Sequence, residues 1–281
     1  MLPAQLPTLD AIESAFGGQY SSWSLLPTQG GQGVACKTIS TDGVVVAMKI
    51  YKAGHVEERS EREVTALRQL TGEHLVRLHD AGRIEIEGET FRFIATTFVE
   101  GRPVDTLVAG GPLGIRAAAR IVADIADAIE ELWNCPQKIV HRDIKPDNII
   151  VQPSGRAVLI DLGIARHVSQ RAITTAGHTY GTPGYCAPEH LMGRPLSCKA
   201  DIFAAGIVFQ EMLVGRHPTY RDQNLLIYGG PKTASVRGDV PRFLAQLIDR
   251  MVARHAYDRP RPEQVKTVIE SYLTKGDGAK S

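Results

Sequence analysis

Short runs of β-branched and aromatic residues, separated by glycines and polar residues, dominate the first hundred positions of the chain. Runs of this kind between turn residues are typical of β-strands. Three glycines, Gly30, Gly31 and Gly33, indicate a turn after the first run. The pattern predicts a small antiparallel sheet with strands at residues 20–26, 34–39, 44–51, 75–83 and 90–99.

Apolar positions at helical spacing appear once in this half and dominate the rest of the chain. Residues 56–70 are charged and carry Val64, Leu67 and Leu70 at three-residue spacing, which predicts an amphipathic helix. Further on, the Ala-rich stretch at 115–133 keeps its larger apolar residues on one helical face. The fold class is therefore α+β, with a small sheet lobe that contains one helix and a larger, mainly helical lobe.

The same pattern suggests where the parts of the chain begin and end. A Glu-Gly-Arg-Pro sequence at residues 100–103 follows the last predicted strand, so the hinge between the lobes is expected at about 97–101. We expect an N-terminal extension at 1–19, an N-lobe at 20–98, a C-lobe at 99–273 and a flexible tail at 274–281.

Composition narrows the class of protein. The 281 residues are 43% hydrophobic and 22% charged, which excludes disordered, collagen-like and disulfide-scaffold classes. With 32 Lys and Arg against 31 Asp and Glu, the net charge of +1 gives no overall attraction to nucleic acid. The four cysteines form no CxxC pair, and the sequence shows neither a signal peptide nor an apolar run long enough for a membrane span. We expect a reduced, cytoplasmic chain.

Candidate chemistry lies in two polar segments held between apolar ones. The first, His141-Arg142-Asp143-Ile144-Lys145-Pro146-Asp147-Asn148, places an acid, a cation and an amide close together. The second, Asp161-Leu162-Gly163, follows a predicted strand at 157–160. Two carboxylates and an amide at one loop end suit Mg²⁺ and phosphate, because Mg²⁺ prefers oxygen ligands shared between protein and phosphate.

From about residue 20 to residue 273, the chain resembles the catalytic domain of the eukaryotic-type (Hanks-type) serine/threonine protein kinases, including those of bacteria. The resemblance implies the bilobal kinase fold, with an activation segment at 161–189. The motifs occur in the order that the family keeps, which is more specific than any one of them. They are the glycine cluster, Val46-Ala47-Met48-Lys49, the loop from His141 to Asn148, Asp161-Leu162-Gly163, Gly181-Thr182-Pro183-Gly184-Tyr185 and Ala187-Pro188-Glu189.

The resemblance implies a reaction and a role for each matching residue. The γ-phosphoryl group of Mg-ATP, with Mn²⁺ as a possible substitute metal, would be transferred to Ser or Thr hydroxyls of a protein substrate. Asp143 would orient the acceptor hydroxyl, Lys145 would steady the transferring group, and Lys49, held by Glu63, would bind phosphates. The implied metal ligands are Asn148 and Asp161. The implied nucleotide contacts are Thr28, Gly30, Gly31, Gly33, Ala47, Lys49, Thr96, Thr97, Val99 and Ile150.

Several positions depart from the family pattern. Thr28 stands where the loop normally has its first glycine, and Thr97 replaces the more usual Glu of the hinge. Leu162 replaces the Phe of the DFG motif and keeps an apolar side chain there. Ala35 occupies the position of the Val that covers adenine, although Val34 could serve if the strand register shifted by one residue. Altered nucleotide affinity is expected, rather than loss of activity.

Regulation and substrate contact are also implied by the resemblance. Arg142, before the catalytic Asp, is the residue that pairs with a phosphorylated activation loop in the family. Thr174, Thr175 and Thr179 are the candidate phosphosites, and autophosphorylation is expected there. Thr182 would instead support the catalytic Asp and the substrate hydroxyl.

Three further residues, Asp201, Glu189 and Arg259, fall where the family keeps its large-lobe scaffold, and Glu189 is expected to pair with Arg259. Residues 217–239 lie where the family places its substrate-side helix, and they match it poorly. Two other functions remain open. A pseudokinase is disfavoured because the charged residues of the motifs are all present, and a small-molecule kinase is disfavoured by the docking segment at 181–189. A homodimer is possible.

Overall fold

The computed structural model describes residues 6–27, 33–51, 64–65, 68–161, 166–167 and 182–275. These residues fall into two compact units. The first contains the chain up to Thr71 together with Val76–Val99, and the second contains Gly72–Leu75 and the chain from Glu100 onward. A β-sheet dominates the first unit and helices dominate the second, in agreement with the predicted α+β class.

Five antiparallel strands form the sheet of the first unit, in the order β1-β2-β3-β5-β4. Their bounds are Tyr20–Leu25 for β1, Gly33–Ser40 for β2, Val45–Tyr51 for β3, Leu78–Ile86 for β4 and Glu89–Thr97 for β5. The first three agree with the prediction to within about one residue, because glycine and polar turns bound their β-branched runs clearly on the sequence.

Strand β4 corrects the prediction, since it begins at Leu78 rather than at residue 75 and continues to Ile86. The cause is the two-residue turn Glu87-Gly88, where both φ angles are positive, at 53° and 81°. Such turns join adjacent strands tightly, and here Ile86 pairs directly with Glu89. The prediction placed the turn too early and therefore shifted the strand.

The two faces of this sheet differ along β3. Val46, Met48 and Ile50 are fully buried and belong to one apolar cluster. Ala47 and Lys49 are only half-buried and, because successive side chains alternate, lie on the opposite face. The strand thus separates an apolar packing face from the face that carries the lysine.

A helix that the sequence analysis did not anticipate covers the apolar face. Helix α1, Leu9–Phe16, lies within the range expected to be an N-terminal extension, and Ile12 and Phe16 join the apolar cluster of the sheet. Its caps were readable on the sequence: the side chain of Thr8 accepts from the third residue of the helix, and Gly17 ends it with φ 54°. The prediction missed it because eight residues give little periodicity.

Phe16 is the centre of an aromatic cluster that joins α1 to the sheet. Its ring centroid lies 5.0 Å from that of Phe93, 5.4 Å from that of Trp23 and 5.4 Å from that of Tyr20. Aromatic pairs at these distances contribute beyond the area they bury. Residues before the sheet are therefore part of the core of the first unit.

Replacing Phe16 with Ala is expected to lower the free energy of unfolding by about 3–5 kcal/mol, because it leaves a cavity between α1 and the sheet. Urea unfolding followed by fluorescence of Trp23, which contacts Phe16, measures the loss. Glu13→Ala, on the exposed face of the same helix, is the control and should change stability by less than about 0.5 kcal/mol. Equal losses in the two variants would contradict the role of α1.

The segment Gly72–Leu75 interrupts the first unit and packs with the second. The N–H of Gly72 donates to Oε1 of Glu131 at 2.7 Å, and the carbonyl of His74 accepts from the N–H of Leu159 at 2.8 Å. Leu75 also forms an isolated bridge with Leu159, which explains why it is not part of β4.

Helices make up most of the second unit. Their bounds are Val104–Ala109 for α2, Ile115–Asn134 for α3, Pro188–Leu191 for α4, Cys198–Val214 for α5, Gln223–Leu226 for α6, Thr233–Val236 for α7, Arg242–Met251 for α8 and Pro262–Lys275 for α9. Helix α5 is buried along almost its whole length, and although most of its residues are apolar, Asp201, Gln210 and Glu211 are buried within it. It packs against α3 and α8, and α3 packs against α9.

Short strands of the second unit hold the polar loop that the sequence analysis singled out. β6, Arg102–Pro103, pairs with β8, Ile149–Val151, which pairs with β9, Ala157–Leu159. β7, Ile139–Val140, pairs with β10, Arg166–His167. The loop at 141–148 therefore runs between two buried strands, β7 and β8.

Three expectations about the chain can be compared with the described residues. None of the described helices is both long enough and apolar enough to cross a membrane. All four cysteines are free thiols. Helix α9 continues through Thr274 and Lys275, which we had assigned to the flexible tail, and the hydroxyl of Thr274 donates to the carbonyl of Glu270 at 3.0 Å.

Candidate active site

A buried carboxylate binds the first two residues of the loop at 141–148. Asp201, on α5, is 1% exposed, and its two oxygens accept from the N–H groups of His141 at 2.8 Å and Arg142 at 2.9 Å. Burial raises the pKa of this carboxyl, and the two hydrogen bonds act in the opposite direction. Arg142 has φ 69°, so the chain turns sharply at this point. The anchor fixes the backbone immediately before Asp143.

The ring of His141 holds the loop by hydrogen bonds. It is fully buried, its Nδ1 accepts from the N–H of Asp143 at 3.3 Å, and its Nε2 lies 3.2 Å from the carbonyl oxygen of Ile160. Because Nδ1 accepts, Nε2 carries the hydrogen and donates. His141 thus joins the loop to the end of β9, which is a structural role.

Four polar side chains converge after this anchor. The hydroxyl of Thr182 donates to Oδ1 of Asp143 at 2.6 Å, and Nδ2 of Asn148 donates to Oδ2 at 3.0 Å. Nζ of Lys145 lies 3.2 Å from Oδ2 of Asp143 and donates to Oγ1 of Thr182 at 3.0 Å. Thr182, 39 residues after Asp143 in the sequence, is therefore brought to the carboxylate that the loop residues surround.

A second carboxylate belongs to Asp161, which follows a residue whose backbone is bonded to the loop. The N–H of Ile160 donates to the carbonyl of Asn148 at 2.9 Å, so Asp161 follows at the point where the two chain segments are joined. Asp161 has φ 64°, a turn that a non-glycine residue adopts rarely. The amide of Asn148 and the carboxylate of Asp161 carry oxygen donors of the type that a divalent cation such as Mg²⁺ prefers.

The geometry can be compared with known proteins. A family model described as "Protein kinase domain" matches residues 28–268, which is most of the chain. The chain belongs to the protein kinase family. The two units of the structure, a sheet unit and a helical unit, are those of the bilobal kinase fold. Protein kinases in general use ATP and a divalent metal ion.

Bacterial proteins are among the relatives of this kinase domain. It is 33% identical to the serine/threonine-protein kinase PknD of Mycobacterium tuberculosis over 267 residues, which cover 89% of the chain and 39% of PknD. It is 32% identical to PkaA of Streptomyces coelicolor over 234 residues, which cover 79% of the chain and 42% of PkaA. The chain thus spans about two fifths of the length of these curated relatives.

In the sheet unit of the kinase, the expected nucleotide contacts whose strand pairing is described lie on one face of the sheet. Ala47 pairs with Thr96, whose hydroxyl lies 3.5 Å from the carbonyl oxygen of Ala47. Lys49 pairs with Ala35 of β2, so Ala35 lies on the face of the lysine. Val34 pairs with Ile50 and packs against the apolar cluster on the other face. The register therefore assigns Ala35, not Val34, to the face of Lys49.

The remaining contacts expected for the nucleotide lie at different places in the two units. Gly33 is the first residue of β2, and Thr97 ends β5, where its N–H donates to the carbonyl of Arg77 at 2.9 Å. Val99 is the last residue of the first unit. Ile150 is buried in the centre of β8. The other expected site residues lie outside the described residues: Thr28, Gly30, Gly31, Glu63, Thr174, Thr175 and Thr179.

The segment that follows Thr182 is held by residues that the sequence analysis did not single out. The hydroxyl of Tyr185 donates to Oε2 of Glu211 at 2.6 Å, and both groups are buried. His217 and Gln223 bind the backbone of Gly184. These partners lie 26 to 39 residues further along the chain, so no local pattern could have indicated them. The poor match of residues 217–239 to the family was the only signal.

Proposed function

We propose that the chain is an ATP-dependent serine/threonine protein kinase, which transfers the γ-phosphoryl group of Mg-ATP to Ser or Thr hydroxyls of proteins. The observation that carries the proposal is the contact of Asp143 with Thr182, Asn148 and Lys145 at 2.6–3.2 Å. The relatives named serine/threonine-protein kinases support the substrate class. Phosphoryl transfer needs positioning and charge neutralisation more than covalent chemistry, and this cluster offers both.

Asp143 is the residue that orients the acceptor. The hydrogen bond that its Oδ1 accepts from the hydroxyl of Thr182 supports this role. A substrate Ser or Thr donates its hydrogen to the same carboxylate and thereby directs its oxygen at the phosphoryl group. The ammonium group of Lys145, 3.2 Å from Oδ2, adds positive charge beside the transferring group.

Asn148 and Asp161 are the proposed ligands of Mg²⁺, for which Mn²⁺ can substitute. Asn148 uses Nδ2 toward Asp143, so its Oδ1 is the atom that serves a metal. When bound, the ion neutralises charge on the phosphate oxygens. Asn148 then has two functions, because it holds the carboxylate of Asp143 with one atom of its amide and the metal with the other.

The nucleotide contacts of the first unit complete the proposal. Lys49, paired with Glu63, binds the phosphates, and the glycines at 30, 31 and 33 allow close approach of the backbone. Backbone groups of Thr97 and Val99 bind adenine, which tolerates a Thr in the hinge. Small side chains at Ala47 and Thr96, together with Thr28, contact the adenine. Ile150 of the second unit is a further nucleotide contact of the proposal.

Autophosphorylation, with Thr174, Thr175 and Thr179 as acceptors, belongs to this proposal. Phosphate there is recognised by Arg142, which precedes the catalytic Asp. The activation segment is assigned to residues 161–189 and the hinge to about 97–101. A cytoplasmic location and a homodimer remain predictions, which fractionation and sedimentation can test.

The experiment is incubation with Mg-ATP and an unstructured Ser/Thr-containing protein, followed by intact and peptide mass spectrometry. Phosphate on Ser or Thr of the substrate, lost with EDTA and restored by Mg²⁺ or Mn²⁺, is expected. A triple variant, Thr174→Ala, Thr175→Ala and Thr179→Ala, distinguishes self-modification of the loop from phosphate elsewhere. If ATP binds and no phosphate is transferred, the result favours a pseudokinase or a kinase that awaits an activator. Transfer only to small hydroxyl compounds would contradict the protein substrate.

A further inference from the structure

The chain segment Thr182 to Cys186 lies directly beside the proposed acceptor position. It begins at the hydroxyl of Thr182, which touches the carboxylate of Asp143. The residues that follow must therefore border any polypeptide whose hydroxyl reaches Asp143. Whatever fixes the backbone of this segment also fixes the surface that the substrate meets.

Two side chains bind both N–H and carbonyl groups of the backbone in this segment. Gln223 accepts from the N–H of Gly184 with Oε1 at 2.7 Å and donates to the carbonyl of Cys186 with Nε2 at 3.2 Å. His217 lies with Nε2 2.9 Å from the carbonyl oxygen of Gly184. Both peptide groups that flank the α-carbon of Gly184 are therefore bound by side chains and not by a neighbouring strand.

The hydrogen bonds of His217 fix which of its ring atoms carries the hydrogen. Nδ1 lies 3.2 Å from the N–H of Thr219 and 2.9 Å from that of Arg221, and it accepts from both. Nε2 therefore carries the hydrogen and donates to Gly184. The ring is buried and meets the ring of Tyr185 edge-on at 5.0 Å. Burial lowers the pKa of His217 to about 4, so the ring is neutral near pH 7.

Only glycine fits at position 184 in this arrangement. Its φ is 95°, and a Cβ atom there would lie 2.9 Å from Nε2 of His217 and 3.0 Å from the α-carbon of Arg221. The side chain of the next residue, Tyr185, is held on its other side by Glu211. The segment thus has a single defined path between Thr182 and Cys186.

We propose that His217 and Gln223 are positioning residues that clamp the segment Thr182 to Cys186 and thereby determine how tightly the protein substrate binds. This inference rests on the proposed kinase function. Neither residue touches the catalytic carboxylate in the structure, so the clamp acts through the backbone of Gly184. It should therefore change the KM for the protein acceptor and leave the KM for ATP unchanged.

Steady-state kinetics with an unstructured Ser/Thr peptide pool tests this assignment. Gln223→Leu and His217→Leu remove the hydrogen bonds, and each should raise the KM for peptide about fivefold to tenfold, with the KM for ATP unchanged. His217→Gln keeps a donor near the position of Nε2, and Gln223→Glu keeps the acceptor for Gly184, so each should restore part of the affinity. Asn224→Ala, exposed on the same short helix, is the matched control.

Hydrogen exchange of the Gly184 amide supplies a second readout that needs no activity. Gln223→Leu should speed this exchange at least about tenfold, since the donor loses its acceptor, while Asn224→Ala leaves it unchanged. An unchanged exchange rate, an unchanged KM for peptide, or an equal rise in both KM values would overturn the clamp. If the wild type transfers no phosphate, the proposed function fails. The clamp can still be tested in that case, because the exchange rate of the Gly184 amide and peptide binding measured by fluorescence anisotropy do not require activity.

Discussion

Replacing Asp143 with Asn is expected to lower the rate of phosphoryl transfer by about 10²- to 10⁴-fold. The substitution removes the charge that accepts the hydrogen of the acceptor hydroxyl. It preserves most of the local contacts, because the amide oxygen can still accept from Asn148 and Lys145 at the position of Oδ2. The amide nitrogen then faces Thr182, whose hydroxyl can turn to accept. The loss should therefore come from chemistry and not from unfolding.

Initial rates with saturating Mg-ATP and peptide measure the effect, and the mid-point of thermal unfolding checks the fold. The matched control is Asp239→Asn, an identical change at an exposed carboxylate that pairs with Arg237. It should leave the rate within about twofold, because an exposed ion pair contributes little. If Asp143→Asn kept a tenth or more of the wild-type rate, the role of Asp143 would be wrong.

The catalytic loop could be predicted from the sequence because its functional residues are close together in the chain. Asp143, Lys145 and Asn148 lie within six positions, and their types already indicated a site for metal and phosphate. Spacing does not predict that Thr182, from a distant segment, contacts Asp143, which was implied only by the resemblance to protein kinases, and the structure adds that Asn148 uses its nitrogen toward Asp143. Contacts between distant segments depend on the packing of whole helices, which leaves no trace in a local pattern.

The misplaced and missed elements have different physical causes. Strand β4 was shifted because the turn Glu87-Gly88 is only two residues long, so the apolar pattern runs almost continuously through both strands. Helix α1 was missed because eight residues carry few periods, although Thr8 and Gly17 mark its ends. In both cases the apolar positions were visible, and the structural element that they belong to was decided by turn and cap residues.

One alternative that the sequence left open has a clear outcome in the register of the sheet. Ala35 pairs with Lys49, whereas Val34 pairs with Ile50 and packs on the apolar face toward α1. A shift by one residue would move every side chain of the strand to the other face, which would expose Cys36 and bury Lys37. The cost of that change excludes the shifted register. A smaller side chain than Val therefore shares the face of the lysine.

Replacing Arg259 with Met is expected to lower the free energy of unfolding by about 3–5 kcal/mol. The guanidinium group is 1% exposed and binds both oxygens of Glu189, at 2.6 and 2.8 Å. It also donates to the carbonyls of Ala253, Lys199 and Arg254, and it lies over the ring of Phe203 at 4.8 Å. Its removal leaves the carboxylate of Glu189 buried without its charge partner and three carbonyls without a donor.

The double variant Glu189→Leu with Arg259→Met should be more stable than Arg259→Met alone, because the unpaired charge is then gone. Urea unfolding measures both differences in the free energy of unfolding, provided that the free energy depends on urea concentration with the same slope in each variant. Arg261→Met is the matched control, since Arg261 is 72% exposed and lies 3.8 Å from Glu263, and its loss should be below about 1 kcal/mol. A loss in Arg259→Met no larger than this control would mean that the pair does not hold α4. Because α4 begins two residues after Cys186, Arg259→Met should also weaken peptide binding, as is expected of the clamp variants.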